Sequence, residues 1–251
     1  PADPTLLKEL AAGYQRIADV QGSDSRGANL GQSRAALASY AKAIAFWDRY
    51  YSAVPTDRPG AMERLNTLRR NADLEALLDG NQKALATYGR AEAGARALAE
   101  RFPGDQELEA LVGDVLTVTS RCYREAGDLK TSLVKSEEAL TITSRLAGLS
   151  PASLERRTAV ASAEAAVGMT KARLGDLASA MRLYESSTRR GETLVADDPN
   201  NVSRKRNLML GYSHLGDILG YPDLPNLGEP AKAEAVYARM VALAREIQAS
   251  D

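Results

Sequence analysis

Apolar and small residues recur along the chain at steps of three and four, with polar residues between them. From Leu177 onward, Leu177, Ala180, Met181 and Tyr184 follow at steps of three, one and three, which lines one side of a 3.6-residue helix. The pattern predicts helices over Gln106–Ala126, Leu129–Ala147, Leu154–Leu174 and Leu177–Ala196. Gly127-Asp128 and Gly175-Asp176 separate the members of each pair, and Gly80-Asn81 takes the same place earlier. Glycine suits the left-handed residue that ends a helix, and a following Asp caps the free N–H groups of the next.

The helix pairs repeat. Pro55, Pro103, Pro151 and Pro199 stand 48 residues apart, and Pro4 precedes them. Tyr40, Tyr88, Ser136 and Tyr184 each lie fifteen residues before one of these prolines, and four residues earlier come Ala36, Ala84, Ser132 and Ala180. Ala233 and Tyr237 supply a fifth such pair. The expected architecture is therefore all-α: five helix-turn-helix repeats, at about 4–54, 55–102, 103–150, 151–198 and 199–251, in a single array. Because the chain starts and stops at repeat seams, a longer parent chain is expected. The outer repeats resemble each other, since Leu10–Gly22 aligns with Leu208–Gly220 and each is followed by a turn-rich loop ending in Asn-Leu-Gly. Both loops are expected to be ordered.

Composition narrows the chemistry. Aromatics are 5% of residues, which favours helices over sheets. Lys and Arg total 32 against 33 Asp and Glu, for a net charge of -1, so no basic surface for nucleic acid is expected. One Cys (Cys122) excludes an internal disulfide, and one His (His214) argues against a His-based metal site. No cofactor and no metal are expected. No apolar run approaches the roughly 18 residues of a membrane span, so this stretch itself is expected to make no membrane contact.

Gly168, Gly175-Asp176, Ala180-x-x-x-Tyr184 and Pro199 together resemble the tetratricopeptide (TPR) repeat. That family uses a small residue for close helix packing, an Ala-x-x-x-aromatic pair and a terminal Pro. The resemblance implies a right-handed superhelical solenoid. The usual repeat is about 34 residues; seven more in each helix would give the 48 seen here and leave each apolar face in place. The third repeat departs from the pattern at Ser120, Ser132 and Ser136, and the family's usual Trp near the start of the first helix is missing throughout. The Leu-Ala-x-Gly-Tyr-Gln-Arg helix, the Asn-Leu-Gly loop and Ala-x-x-x-Tyr also resemble the repeats that follow the membrane span in bacterial receptor-like serine/threonine protein kinases. This resemblance implies an extracytoplasmic sensor or docking region of a signalling protein, with a free-standing cytoplasmic adaptor as the alternative. No kinase glycine loop, catalytic loop or Asp-Phe-Gly occurs in the sequence.

Candidate catalytic groups are few. His214 falls at a packing register, Cys122 reads as a buried inert thiol, and Gly211, Gly216 and Gly220 lack the context of a phosphate loop. Trp47, with Phe46, Tyr50 and Tyr51, reads as core packing rather than as an anchor for a partner. The TPR resemblance implies that the first helix of each repeat lines a concave groove taking a protein or peptide. On that orientation the groove residues are Asn66, Arg69, Asp73, Asp114, Thr117, Arg121, Arg124, Met169, Arg173 and Tyr212. Their excess of Arg suits a carboxylate or acidic peptide. Self-assembly through the ends is a further expectation, with Ala242, Ile247 and their neighbours at an uncovered apolar edge of the last helix.

Overall fold

The structure, a computed structural model, describes residues 3–22, 29–149 and 153–250. Among them ten helices form and no strand: α1 (Pro4–Gly22), α2 (Ser33–Ala53), α3 (Arg58–Asp79), α4 (Asn81–Arg101), α5 (Gln106–Glu125), α6 (Leu129–Ala147), α7 (Leu154–Arg173), α8 (Leu177–Asp197), α9 (Val202–Gly220) and α10 (Pro230–Ser250). Each is 19 to 22 residues long, so two helices with their turns account for the 48-residue period. The chain divides into two compact bodies, residues 1–127 and 128–251. In each body, every helix packs on its neighbours in sequence.

The periodicity extends to the caps. Asp105, Ser153 and Asn201 precede α5, α7 and α9, and their side chains accept backbone N–H bonds from the first turn. Asp57 holds the same place before α3, but its carboxylate takes the Lys8 ammonium at 2.7 Å and the Tyr50 hydroxyl instead. Between paired helices, Gly127 and Gly175 have φ near +86 and +83, and Asp128 and Asp176 then cap the next helix. The second repeat differs from the expectation. Gly80 alone, at φ +95, joins α3 to α4, and Asn81 is already helical.

In the first, second, fourth and fifth repeats the hairpin is closed by a small residue on the first helix lying under the tyrosine of the second. A Cβ at Gly168 would stand 2.8 Å from the Tyr184 ring, and one at Gly216 would stand 2.5 Å from Tyr237. Ala18 and Ala72 hold the same register in the first two repeats and are fully buried. The next residue along secures the tyrosine hydroxyl: Tyr40 donates to Asp19, Tyr88 to Asp73, and Tyr237 to Asp217 at 2.6 Å. In the fourth repeat Met169 replaces the aspartate, and the Tyr184 ring stacks on His214 at 5.5 Å.

Successive repeats meet at one register. Leu74 lies in a core cluster with Ala36 and Tyr40, Cys122 with Ala84 and Tyr88, and Ile218 with Ala180 and Tyr184. The fourth member, Thr170, meets Ser132 at 2.9 Å, both fully buried. Ser132 of the third repeat thus belongs to a hydrogen-bonded version of the same junction, while Ser120 and Ser136 bond back to the Thr117 and Leu133 carbonyls of their own helices. Cys122 is a packing residue here, and burial pushes its thiol above the ordinary range.

The loop ends of the outer repeats are ordered and alike. Leu30 and Gln32 donate their N–H groups to the carbonyls of Val20 and Gln21, as Leu227 and Glu229 do to Ile218 and Leu219. The Asn29 and Asn226 side chains accept from Gly31 and Gly228. Residues 23–28 of the first loop, and Pro151, lie outside the described residues. Trp47 is 2% exposed, clustered with Leu7, Ala11, Ala43 and Tyr50.

Candidate interaction surface

In the first body, α3 and α5 present matching registers: Asn66 with Asp114, Arg69 with Thr117, Asp73 with Arg121. Asp73 accepts the Tyr88 hydroxyl on one oxygen and, on the other, the Arg69 guanidinium at 3.2 Å. Arg121 is exposed and lies beside the Tyr88 phenol and the Cys122 thiol. Asp114 is exposed on its open side, yet the surrounding protein raises its carboxyl above the usual range, against the opposing pull of Arg69. Burial, reinforced by Asp73, keeps the Tyr88 hydroxyl protonated well beyond the ordinary phenol range, so it remains a donor to Asp73. Thr117 is half-buried, with its hydroxyl bonded back to the Gly113 carbonyl at 2.9 Å. Asn66, Arg69, Asp73, Asp114, Thr117 and Arg121 therefore share one face.

Four expected groove residues need separate accounts. Arg124 is 4% exposed; its register is that of Gly22 and Gly220, where α1 and α9 turn into the following helix, so it is withdrawn from an open face. Met169 packs against the Ala180, Tyr184 and Ile218 cluster, because its register carries the tyrosine-facing residue of each hairpin. Tyr212 is 8% exposed among Leu208 and Leu243, at the register of the fully buried Leu68 and Leu116. Its hydroxyl donates to Glu192 at 2.8 Å, and burial and that carboxylate push it up to about 12. It lines a cleft of about 160 Å³ walled by α8, α9 and α10, with Arg189, Glu192 and Arg239 around it. Arg173, near the end of α7, is exposed. The registers matching the α3–α5 face carry Ser162, Ala165 and Met169 in α7 and Leu210, Ser213 and Asp217 in α9, so most of the charge lies in the first body.

Sequence reasoning missed the tyrosine–aspartate pairs. Their signal was present, since Asp19, Asp73 and Asp217 each follow the small residue that faces the tyrosine.

Among solved structures, a putative kinesin light chain from Podosopora anserina, with nearly identical TPR-like repeats, is 15% identical over 99% of both chains, with a TM-score of 0.52. BtubC (BKLC) from P. vanneervenii is 16% identical over 98% of this chain and 91% of its own, with a TM-score of 0.56. The fold is TPR-like. No family model matches the chain, and no curated protein does. These likenesses concern the fold alone. Fold does not fix function, which depends on the side chains of a site. Among the described residues no group of three or more His, Cys, Asp and Glu could hold a metal ion. No described helix is long and apolar enough to cross a membrane.

Proposed function

We propose that the protein is a non-catalytic interaction module that takes a peptide along the α3–α5 face. The observation that supports this reading is the convergence of Arg69, Asp73, Asp114 and Arg121 on one face of two successive first helices, where Arg69 is bonded to Asp73 and exerts its pull on Asp114. Arg69 is already committed to Asp73 and Arg124 is buried. The cation offered to a ligand is therefore Arg121, with Asp114 about two turns away on α5 setting polarity. A segment with a carboxylate for Arg121 and a cationic or amide group for Asp114 fits this pair. A pool of fluorescein-labelled decapeptides, acidic with one basic residue, tests the reading by fluorescence anisotropy. Binding is expected to weaken with salt and to fall at least tenfold in Arg121→Glu. Absence of binding, or binding indifferent to Arg121→Glu and Asp114→Lys, removes the proposal.

The sequence resemblance to receptor-like kinase repeats supports a finer placement, as the extracytoplasmic sensing region of a membrane-anchored kinase, with a cytoplasmic adaptor as the alternative. The reading frame upstream of Pro1 tests it. A kinase domain followed by about 20 apolar residues is the expected finding, and a frame with neither sinks this placement.

A further inference from the structure

We propose that the cleft between α8 and α10 binds a small zwitterion, a free α-amino acid with an apolar side chain. The proposal is independent of the α3–α5 face and starts from a departure within the repeat pattern. In the first body the corresponding register is apolar. Ile44 of α2 is 6% exposed and Leu68 of α3 is fully buried, and Asp48 of α2 takes the Arg90 guanidinium of α4 at 2.8 Å. By register, α8, α9 and α10 carry Thr188 for Ile44, Tyr212 for Leu68, Glu192 for Asp48 and Arg239 for Arg90. Both apolar residues are thus replaced by hydroxyl-bearing ones, around a cleft of about 160 Å³. The ion pair lengthens to 3.5 Å, and the same Glu192 oxygen accepts the Tyr212 hydroxyl at 2.8 Å.

The cleft also gains charge that the earlier register lacks. Glu185 and Arg189 of α8 stand where α2 has Ala41 and Ala45. Both line the cleft and are exposed, and neither side chain has a hydrogen bond or ion pair among the described residues. Thr188, on the same wall, is 5% exposed, and its hydroxyl has no partner in the protein. A buried hydroxyl is ordinarily bonded, and a helical threonine has two χ1 positions open to it, so this one can turn to a bound group. Val236 and Arg239 of α10 hold the registers of Leu183 and Ser186 of α8, and Ser186 bonds back to Glu164 of α7 at 2.8 Å. They therefore lie on the side of α10 that faces α9, and the cleft does not depend on what adjoins the outer side. Of the residues expected at an uncovered edge of α10, Ala242 is exposed, Ile247 belongs to the interior at 8% exposure, and neither lines the cleft.

The lining sets the ligand. Two arginines and two glutamates line the cleft and cancel, so a ligand with one carboxylate and one ammonium preserves the balance that a singly charged ligand upsets. Arg189 on α8 and the loosely held Arg239 on α10 take the carboxylate, whose two oxygens match a guanidinium fork. Glu192 is already bonded to Tyr212, so the unpaired Glu185 takes the ammonium. Leu215 and Val236, both partly buried against neighbouring core clusters, give the side chain an apolar surface. A volume of about 160 Å³ is that of a cavity holding a benzene-sized group, which is the bulk of a leucine or phenylalanine side chain.

Isothermal titration calorimetry with free leucine and phenylalanine tests it, alongside three analogues of leucine. 4-Methylpentanoate keeps the carboxylate alone, isoamylamine keeps the ammonium alone, and N-acetyl-leucine amide has neither charge. At least one of the two amino acids is expected to bind, one per chain, with each analogue weaker by roughly tenfold or more. Arg189→Ala and Glu185→Gln, both at exposed positions of α8, should keep the wild-type melting temperature and weaken amino-acid binding by a similar factor. 4-Methylpentanoate should bind Glu185→Gln as well as it binds wild type, because it has no ammonium to lose, and a merely structural effect would not spare it. Failure of both amino acids to bind overturns the proposal. So do analogues that bind as tightly as leucine, amino-acid binding that either substitution leaves unchanged, or 4-methylpentanoate binding that Glu185→Gln weakens. N-acetyl-leucine amide binding where free leucine does not would overturn it in favour of a side chain from a protein partner. Neither substitution touches α3 or α5, so the peptide-binding result stands or falls separately.

Discussion

At the scale of single residues, the fold rests on how closely a small side chain lets two helices approach. Gly216 lies under the Tyr237 ring with no room for a Cβ, yet alanine holds the same register beside Tyr40 and Tyr88. The hairpin can therefore open by about one methyl group and no more. Gly216→Ala is expected to be tolerated within about 1 kcal/mol, since the alanine's better helix propensity offsets part of the crowding. Gly216→Val, with two further carbons against the ring, is expected to cost about 1–3 kcal/mol. Gly89 serves as the control, because nothing lies near it and Gly89→Ala should gain up to about 1 kcal/mol. Thermal melts resolve the difference, at roughly 2–4 °C per kcal/mol for a chain of this size. Equal losses at Gly216→Val and Gly89→Val would mean that the tyrosine contact is not what the glycine serves.

At the scale of elements, helix limits were legible wherever local chemistry sets them. The Gly-Asp pairs placed the ends of α5, α6, α7 and α8 to within a residue or so, because a left-handed glycine and a capping carboxylate are local devices. Gly80-Asn81 misled for the same reason: the dipeptide looks alike, but α3 and α4 join through one residue. The face each side chain takes was less legible. Arg124, Met169 and Tyr212 sit at registers whose burial depends on the neighbouring helix, which no single-helix pattern encodes. The caps allow a test at this scale. Asp105 accepts the N–H groups of Glu107 and Leu108 and takes Arg58 through two bonds, at 2.6 and 3.0 Å. Asp105→Ala is expected to cost about 0.5–2 kcal/mol for the cap and up to about 1 kcal/mol more for the half-exposed ion pair. Asp105→Asn keeps the cap and loses only the charge. The Arg58 guanidinium, followed by the backbone bonds, holds the Asp105 carboxyl below its ordinary range. Its charge-dependent contribution is therefore present above the carboxylate range of the unfolded chain and fades as the pH falls through the lower folded value. Urea denaturation should show wild type ahead of Asp105→Asn at neutral pH, with the gap closing in acid. A gap that widens in acid would assign the effect to something other than this carboxylate.

At the scale of the whole molecule, a repeat array is stabilised by terms within each repeat and terms between neighbours, so a change at one junction should remain local. The third repeat provides the test, because its junction is polar where the others are apolar. Thr170 meets Ser132 at 2.9 Å while also bonding the Ala166 carbonyl at 3.1 Å. Thr170→Val deprives Ser132 of one partner, at an expected cost of about 0.5–1.5 kcal/mol. Ser132→Ala leaves Thr170 its carbonyl partner and should cost less. The double variant restores an apolar contact like that of Ile218 on Ala180 and should recover most of the Thr170→Val loss, a coupling that a double-mutant cycle measures. Hydrogen exchange reports where the loss is felt. Amides of α6, α7 and α8 should exchange faster in Thr170→Val, while those of α1 to α4, in the other compact body, should keep their wild-type protection. Uniform loss across all ten helices would show that the chain unfolds as one cooperative block and that nearest-neighbour terms do not describe it. Additive single substitutions would show instead that the two hydroxyls do not act as a pair. Ser132 would then be a departure from the pattern whose bond to Thr170 does not compensate for the lost apolar contact.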